Sequence, residues 1–262
     1  MSKDGVYISA DLGVNWRGDL HELGRMVEDC LCAKVDAVKL QWFDQEHLDT
    51  GPYEPGLRRL LGTMCLNRRF IKEFAKNIHK AGLEVVVTPF SMRQLAEMPE
   101  EVDGIKIRAA DCFKADMVRK AQSLGKPVYV SVPVVNGYFI KPEDVPEGAF
   151  LELMGCMMQP NTYMVMCVPK YPPKAEELFL HRASDFQGFS SHYPHHSAPF
   201  IAATIAVHSQ MWKAKRRFYL EVHYTPTDDS KDREVVPDMD VSLCRDQLEQ
   251  LVCCVETLER GI

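Results

Sequence analysis

The chain has 262 residues, of which 46% are hydrophobic, so it is long enough to bury a large core. Its 31 Lys and Arg residues are outnumbered by 37 Asp and Glu residues, and the net charge of −6 gives no indication of a general polyanion-binding surface. The nine cysteines form no CxxC pair, which argues against a zinc ribbon or a disulfide scaffold. No apolar stretch reaches membrane-spanning length, so we expect a soluble, cytoplasmic protein.

Apolar, strand-like runs alternate with amphipathic helical stretches along the chain. The predicted strands are residues 6–10, 35–42, 83–88, 104–109, 127–132, 162–168, 188–190 and 218–222. The predicted helices are residues 20–34, 67–81, 92–98, 114–124, 174–180, 199–210 and 243–259. Residues 136–160 fit either a degenerate helix or a loop over one end of the sheet.

Eight strand-then-helix units without a Gly/Ser-rich linker favour a closed (β/α)8 barrel, the TIM-barrel fold. We expect residues 1–262 to form this barrel as a single domain. The alternative is an open doubly wound sheet, but no GxGxxG motif follows the first strand to support it.

Polar side chains follow the predicted strands, at the end of the barrel where such folds carry their chemistry. These residues are Asp11, Asn15, Lys39, Gln41, Thr88, Lys106, Asp111, Ser131, Tyr171, Ser190, His192, Glu221 and His223. Two imidazoles at the ends of neighbouring strands could converge on one divalent metal. The cationic Lys39 and Lys106 are suited to phosphate, so the pattern indicates a metal site beside a phosphate site.

The segments around these residues resemble, in order, the motifs of the sialic acid synthase family (N-acetylneuraminate synthases and relatives). The matching segments are residues 10–18 for Ala-Glu-Ile/Leu-Gly-x-Asn-His-x-Gly, 37–41 for Ala-Val-Lys-Phe-Gln, 87–90 for Ser-Thr-Pro-Phe, 106–111 for Lys-Ile-Pro-Ser-Gly-Glu, 171–172 for Tyr-Pro, 188–192 for Gly-Phe/Tyr-Ser-Asp-His, 221–225 for Glu-Lys-His-Phe-Thr, and 236–243 for Gly-Pro-Asp-His with a later Ser-Leu. Each motif alone is weak, whereas their order along residues 8–258 is specific.

The resemblance implies a metal-dependent condensation of phosphoenolpyruvate (PEP) with an amino-sugar-like aldose. The products would be a nonulosonic-acid-like 3-deoxy-2-keto acid and phosphate. By the same resemblance, the PEP-binding residues are Lys39, Thr88, Lys106, Ser131 and Ser190. The small-molecule partners are then PEP and a sugar aldehyde, and the family's habit of pairing predicts a homodimer. No nucleic-acid or membrane partner is expected.

The remaining site residues also follow from the resemblance. His192 and His223 match the two protein ligands of the family's divalent metal, which implies Mn2+ or Mg2+. Asp11 stands where the family has a catalytic glutamate, and Asp111 is a second candidate carboxylate. The acceptor sugar would be handled by Gln41, Tyr171 and Asp238.

The chain also departs from the family pattern. We expect the catalytic barrel alone, without the C-terminal antifreeze-like domain that supplies an acceptor-reading arginine in the family. Both glutamates are shortened to aspartate, and Ala109-Ala110 replaces Ser-Gly. Arg108 and Lys170 add positive charge. These changes predict an acceptor other than N-acetylmannosamine.

Three alternatives stay open at this point. The barrel could be catalytically silent and bind a ligand or a partner enzyme, or it could be half of a split synthase. Lys39 and Lys106 could also be structural partners of Asp11 and Asp111, since a buried lysine is costly unless it is paired.

Overall fold

A computed structural model describes residues 5–135, 138–139, 145–146, 148–174, 177, 185–193, 201–202, 206, 217–226 and 238–260. Eight parallel strands follow one another around a closed barrel, so the predicted (β/α)8 fold is confirmed. The predicted helices at 174–180 and 199–210 lie for the most part outside the described residues. Within the described ranges, no helix has both the length and the apolar character needed to cross a bilayer.

The barrel strands keep the predicted order and shift their ends by one or a few residues. They are Val6–Asp11 (β1), Ala37–Trp42 (β2), Glu84–Pro89 (β3), Gly104–Ile107 (β4), Val128–Val135 (β5), Thr162–Cys167 (β6), Gly188–Ser191 (β7) and Phe218–Tyr224 (β8). Two-residue strands add to the rim: Tyr138–Phe139 pairs antiparallel with β5, and Ser242–Leu243 pairs parallel with β8.

The helices of the described residues surround this sheet. They are Leu20–Ala33 (α1), Gln45–Thr50 (α2), Pro55–Gly62 (α3), Arg68–Ala81 (α4), Met92–Ala96 (α5), Ala115–Gln122 (α6), Ala149–Met157 (α7) and Arg245–Arg260 (α8). The unpredicted α2 and α3 are short and separated by residues 51–54, which include Gly51-Pro52, and this interruption obscures their periodicity. Within the segment 136–160, α7 corresponds to the degenerate-helix alternative.

Capping residues set the ends of the long helices. The Asp19 carboxylate accepts hydrogen bonds from the backbone N–H groups of His21 and Glu22 at the start of α1. Asn67 caps α4 in the same way, and Gly82 ends that helix with a φ of 92°, which favours glycine. Gly82 therefore fixes the point at which the chain leaves α4 and turns toward β3.

The pairing of β1 with β8 closes the barrel. Their register runs from Val6 opposite Phe218 to Asp11 opposite His223. On its other side, β1 places Asp11 opposite Lys39 of β2. Because side chains alternate between the two faces of a strand, every second residue faces the interior, where the side chains stack in layers.

The N-terminal end of the barrel interior is filled by an aromatic layer. The Tyr129 and Tyr219 rings stack with their centroids 3.8 Å apart, and Tyr7 lies 6.1 Å from Tyr219. The Arg217 guanidinium lies 3.9 Å above the Tyr7 ring and donates to the Tyr129 hydroxyl. This layer forms a packed base, so the polar layers lie nearer the C-terminal mouth.

Gly188 gives β7 the space to pass close to β8. A Cβ atom at this position would lie 2.5 Å from the Tyr219 carbonyl oxygen and 3.0 Å from the Val165 Cγ2 atom. The obstacle on the β8 side is backbone, which cannot rotate away as a side-chain tip can.

The substitution Gly188→Ala should therefore lower the free energy of unfolding by about 1–3 kcal/mol, the usual cost of overpacking a core. Gly155→Ala is the control, because a Cβ atom there meets nothing within 4 Å on helix α7, and it should be neutral or stabilising. Urea unfolding measures both. Equal stability of the two variants would contradict this account of the β7–β8 contact.

Candidate active site

A cavity of about 450 Å³ opens at the C-terminal mouth of the barrel. It is lined by the sequence-predicted residues Asp11, Lys39, Gln41, Thr88, Lys106, Ser131, Tyr171, Ser190, His192, His223 and Asp238. Asp111 does not line it. Further lining residues are Tyr53, Arg108, Ala109, Ala110, Cys167, Pro169 and Glu221. The cavity therefore collects side chains from strands that are far apart in the sequence.

The Glu221 carboxylate is the hub of the cavity floor. The Lys106 ammonium donates to its two oxygens at 2.8 and 2.7 Å, and the Lys39 ammonium lies 3.4 Å away. The hydroxyls of Ser190 and Tyr219 each donate to it at 2.8 Å. Tyr219 belongs to the aromatic layer, so the packed base of the barrel directly supports this carboxylate.

Sequence reasoning placed Glu221 in the polar ring but gave it no role. The available signal was its spacing: two residues before His223, it faces the same side of β8. The alternative prediction that Lys106 pairs with Asp111 is wrong, because Lys106 pairs with Glu221. The predicted pairing of Lys39 with Asp11 is observed at 2.8 Å.

Burial and charge act against each other on these groups. Burial favours a neutral Glu221, but the ammonium groups of Lys106 and Lys39 hold its pKa well below the usual range. Burial also opposes the charge of Lys39, yet Asp11 and Glu221 together raise its pKa above the ordinary value. For Lys106, burial prevails over attraction to the single carboxylate of Glu221 and lowers the pKa.

The floor keeps hydrogen-bond donors for a ligand. An ammonium group has three N–H donors, and the contacts with Asp11 and Glu221 leave at least one on each lysine. The buried Thr88 hydroxyl, also in the cavity wall, has no hydrogen-bond partner among the described residues. Unpaired buried polar atoms are costly, so this hydroxyl is available to a polar ligand or a water molecule in the cavity.

The imidazoles of His192 and His223 lie side by side with ring centroids 5.3 Å apart. His192 Nδ1 is 3.0 Å from the Val168 carbonyl oxygen, and its Nε2 is 2.9 Å from the Tyr171 hydroxyl. Burial, together with the nearby His223, lowers the pKa of His192 to about 3, so the ring is neutral at pH 7. A neutral ring is the form that binds metals.

The two imidazoles can hold a divalent metal when His192 Nε2 exchanges its contact with the Tyr171 hydroxyl for the ion. Both ring nitrogens of His223 are buried without a hydrogen-bond partner in the described structure, although Nδ1 lies 3.3 Å from Asp11 Oδ2. No group of three or more His, Cys, Asp or Glu side chains within the described ranges could hold a metal by itself. His192 and His223 would therefore supply two ligands, and the other positions would belong to substrate and water.

The predicted acceptor residues lie on the Asp11 side of the mouth. The Gln41 amide nitrogen is 3.3 Å from the Asp11 carboxylate and 3.4 Å from the Asp238 carboxylate. Asp238 is also 3.8 Å from His223 Nδ1. The Tyr171 ring stacks on His192 with centroids 4.0 Å apart. Amide, carboxylate and hydroxyl groups thus converge near the two imidazoles.

Asp111, the second candidate catalytic carboxylate, lies behind the cavity wall. Its two oxygens accept from Arg108 at 2.5 Å and from Lys114 at 2.8 Å. The Asp111 side chain is only 1% exposed, and both of its oxygens are already paired with these two cations. The structure therefore brings the predicted site residues together with the exception of Asp111, while Asn15 of the polar ring lies outside the cavity lining and donates to the Tyr224 carbonyl and the Ser242 hydroxyl.

Residues 26–262 match the sequence model of the NeuB family. The chain belongs to the NeuB family. Members of this family are PEP-condensing synthases, so the resemblance to sialic acid synthases is confirmed at the level of the family. A comparison of this NeuB-family chain with curated protein sequences gives no match.

Solved structures share the fold at low sequence identity. N-acetylneuraminic acid (sialic acid) synthetase from Leptospira borgpetersenii serovar Hardjo-bovis has a TM-score of 0.75 and 20% identity, with 98% of this chain and 85% of that chain covered. Spore coat polysaccharide biosynthesis protein SpsE from Bacillus subtilis has a TM-score of 0.73 and 18% identity, with 98% and 69% covered. A truncated 3-deoxy-D-arabino-heptulosonate 7-phosphate synthase from Thermotoga maritima has a TM-score of 0.59 and 15% identity, with 98% and 87% covered.

The hub role of Glu221 predicts a large loss of stability on its removal. Glu221→Ala leaves two buried ammonium groups without their shared carboxylate, and breaking a buried pair typically costs about 3–5 kcal/mol. Glu249→Ala is the control, because its partner Arg245 is exposed and such pairs contribute at most about 1 kcal/mol. Urea unfolding at pH 7 measures both, and a loss below about 1 kcal/mol for Glu221→Ala would contradict the hub role.

Proposed function

We propose that this NeuB-family chain condenses PEP with an amino-sugar-like aldose in a metal-dependent reaction. The PEP methylene carbon forms a bond to the aldehyde carbon, and the aldehyde oxygen becomes a hydroxyl. Water adds to C2 of PEP, and the bond from C2 to the phosphate oxygen breaks. The products are a 3-deoxy-2-keto acid and inorganic phosphate. The observation that carries the proposal is that two buried lysines and two neighbouring imidazoles share one cavity.

PEP would bind over the cavity floor. Its phosphate and carboxylate oxygens would accept charge-assisted hydrogen bonds from Lys39 and Lys106. The hydroxyls of Thr88, Ser131 and Ser190 line the same space and add neutral donors. A reactant held in this way approaches its partner in a fixed orientation, which lowers the entropic part of the barrier.

Asp11 would act at the reacting carbons. Its carboxylate lies 2.8 Å from the Lys39 ammonium and 3.3 Å from His223 Nδ1, between the PEP side and the metal-ligand side of the cavity. A carboxylate at this position stabilises the positive charge that develops at C2 of PEP, and it can accept a proton from the water that adds there. In this proposal Asp111 has no catalytic role, because Arg108 and Lys114 occupy its carboxylate.

The acceptor would lie between Gln41, Tyr171 and Asp238, with its aldehyde toward His192 and His223. When bound there, Mn2+ or Mg2+ would supply Lewis-acid polarisation of the aldehyde oxygen. The named activity of the Leptospira synthetase supports an amino-sugar acceptor. Ala109-Ala110, which stands where the family motif has Ser-Gly, supports an acceptor that differs from N-acetylmannosamine. The homodimer stays a prediction.

Release of phosphate from PEP tests the function directly. With Mn2+ and a panel of aldoses that includes N-acetylmannosamine, we expect release that requires both the metal and one class of aldose. Lys106→Met should reduce the rate by roughly 100-fold or more, because it removes a charged donor from a buried site. Lys76→Met is the matched control, since that lysine is 42% exposed and does not line the cavity, and it should keep the wild-type rate.

The absence of phosphate release with every aldose, from folded protein with bound metal, would contradict the proposed synthase. A rate for Lys106→Met equal to that of Lys76→Met would contradict the assignment of Lys106 to PEP. The melting temperatures of both variants show whether a loss of activity comes from the missing hydrogen-bond donor or from unfolding of the protein.

A further inference from the structure

Arg108 is a cavity-lining cation to which the family resemblance gives no role. Its guanidinium lies 3.7 Å above the Phe90 ring, and its Nε atom donates to Asp111 Oδ2 at 2.5 Å. The side chain is 25% exposed. A ring on one face and a carboxylate at one edge fix the plane of the guanidinium before any ligand arrives.

The fixed guanidinium still has donors for a ligand. It carries five N–H groups, and the Asp111 oxygen engages only the edge formed by Nε and one terminal nitrogen. The remaining terminal nitrogen, with its two N–H groups, has no such partner in the described contacts. On the edge away from Asp111, each of the two terminal nitrogens presents one N–H group, and this parallel pair of donors matches the spacing of phosphate oxygens.

Local charge also favours an anion at Arg108. On the cavity floor, Lys39 and Lys106 are balanced by Asp11 and Glu221. Asp111, in contrast, lies outside the cavity lining and also faces Lys114, so these three side chains carry a net positive charge. Arg108 therefore lines the cavity while its counter-ion Asp111 does not, whereas the counter-ions of Lys39 and Lys106 both line it.

The position of Arg108 places it above the PEP side of the cavity. Arg108 is two residues beyond Lys106 in extended backbone, so both side chains face the interior. Phe90, on which it stacks, is two residues beyond Thr88, whose buried hydroxyl has no partner in the described structure. Gln41 and Asp238, in contrast, lie with Asp11.

We propose that Arg108, together with Thr88 and Lys106, binds the phosphate group of PEP. This inference rests on the proposed function and deepens it. The guanidinium would take the place of the hydroxyl that Ala109-Ala110 lacks relative to the family's Ser-Gly. Lys170, the other added cation, pairs with Glu177 and is not part of the cavity lining, so it does not compete for this role.

The proposal also gives Asp111 a role as a positioning residue. Its buried carboxylate holds the Nε edge of Arg108 and turns the rest of the guanidinium toward the cavity. Lys114 balances the carboxylate from the outside, at 2.8 Å and with a side chain that is 65% exposed.

Titration calorimetry with PEP, inorganic phosphate and pyruvate tests the phosphate site. Arg108→Gln should weaken PEP and inorganic phosphate roughly 10- to 100-fold, since charged hydrogen bonds are lost. Pyruvate has no phosphoryl group, so Arg108→Gln should bind it with unchanged affinity. Unchanged pyruvate binding would also show that the variant keeps the folded cavity. Arg108→Lys should give an intermediate loss, because lysine keeps the charge but not the planar pair of donors.

Arg119→Gln is the matched control, since this arginine also pairs with a carboxylate three residues away but is 53% exposed and does not line the cavity, and it should bind PEP as the wild type does. The proposal is overturned if Arg108→Gln binds PEP and phosphate normally, or if it loses pyruvate as strongly as PEP. In the phosphate-release assay, the proposal is also overturned if Arg108→Gln raises the KM of the aldose but not that of PEP. Wild-type binding of inorganic phosphate that depends on Arg108, without any binding of PEP, would support the phosphate site and contradict the proposed function.

Discussion

Two ammonium groups are buried in the interior of this barrel, and the Glu221 carboxylate contacts both of them. Buried charges are tolerated only when they are paired and hydrogen-bonded, so the positions of Lys39, Lys106 and Glu221 depend on one another. The closure of β1 against β8 brings Asp11 and His223 to the same level. The aromatic layer supports the arrangement from below through the Tyr219 hydroxyl. The geometry of the cavity therefore follows from the register of the barrel.

The fold and most of the cavity could be predicted because their signals are local. Alternation along β2 places Lys39 and Gln41 on one face, and the same rule joins Glu221 to His223 on β8. Parallel strands align their C-terminal ends, so polar residues at those ends meet at one mouth. His192 and His223 indeed lie beside each other, as their strand positions predict.

The pairing of charges could not be predicted, because it is decided by contacts between distant segments. Lys106 and Glu221 are 115 residues apart, and nothing local distinguishes Glu221 from Asp111 as the partner of Lys106. Asp111 pairs instead with Arg108, which is three residues away in the sequence and stacks on the Phe90 ring. The aromatic layer was also missed, because each of its tyrosines looks like an ordinary strand residue until the barrel closes.

Members of the NeuB family are PEP-condensing synthases, and the residues at the barrel mouth carry the proposal for this chain. We propose that the lysine pair binds PEP while the imidazole pair binds the metal in the same cavity. A crystal structure of the protein with PEP and Mn2+ tests this claim most directly. We expect PEP within hydrogen-bond distance of both ammonium groups and Mn2+ bound to His192 and His223. Mn2+ on other side chains, or PEP bound away from Lys39 and Lys106, would contradict the account.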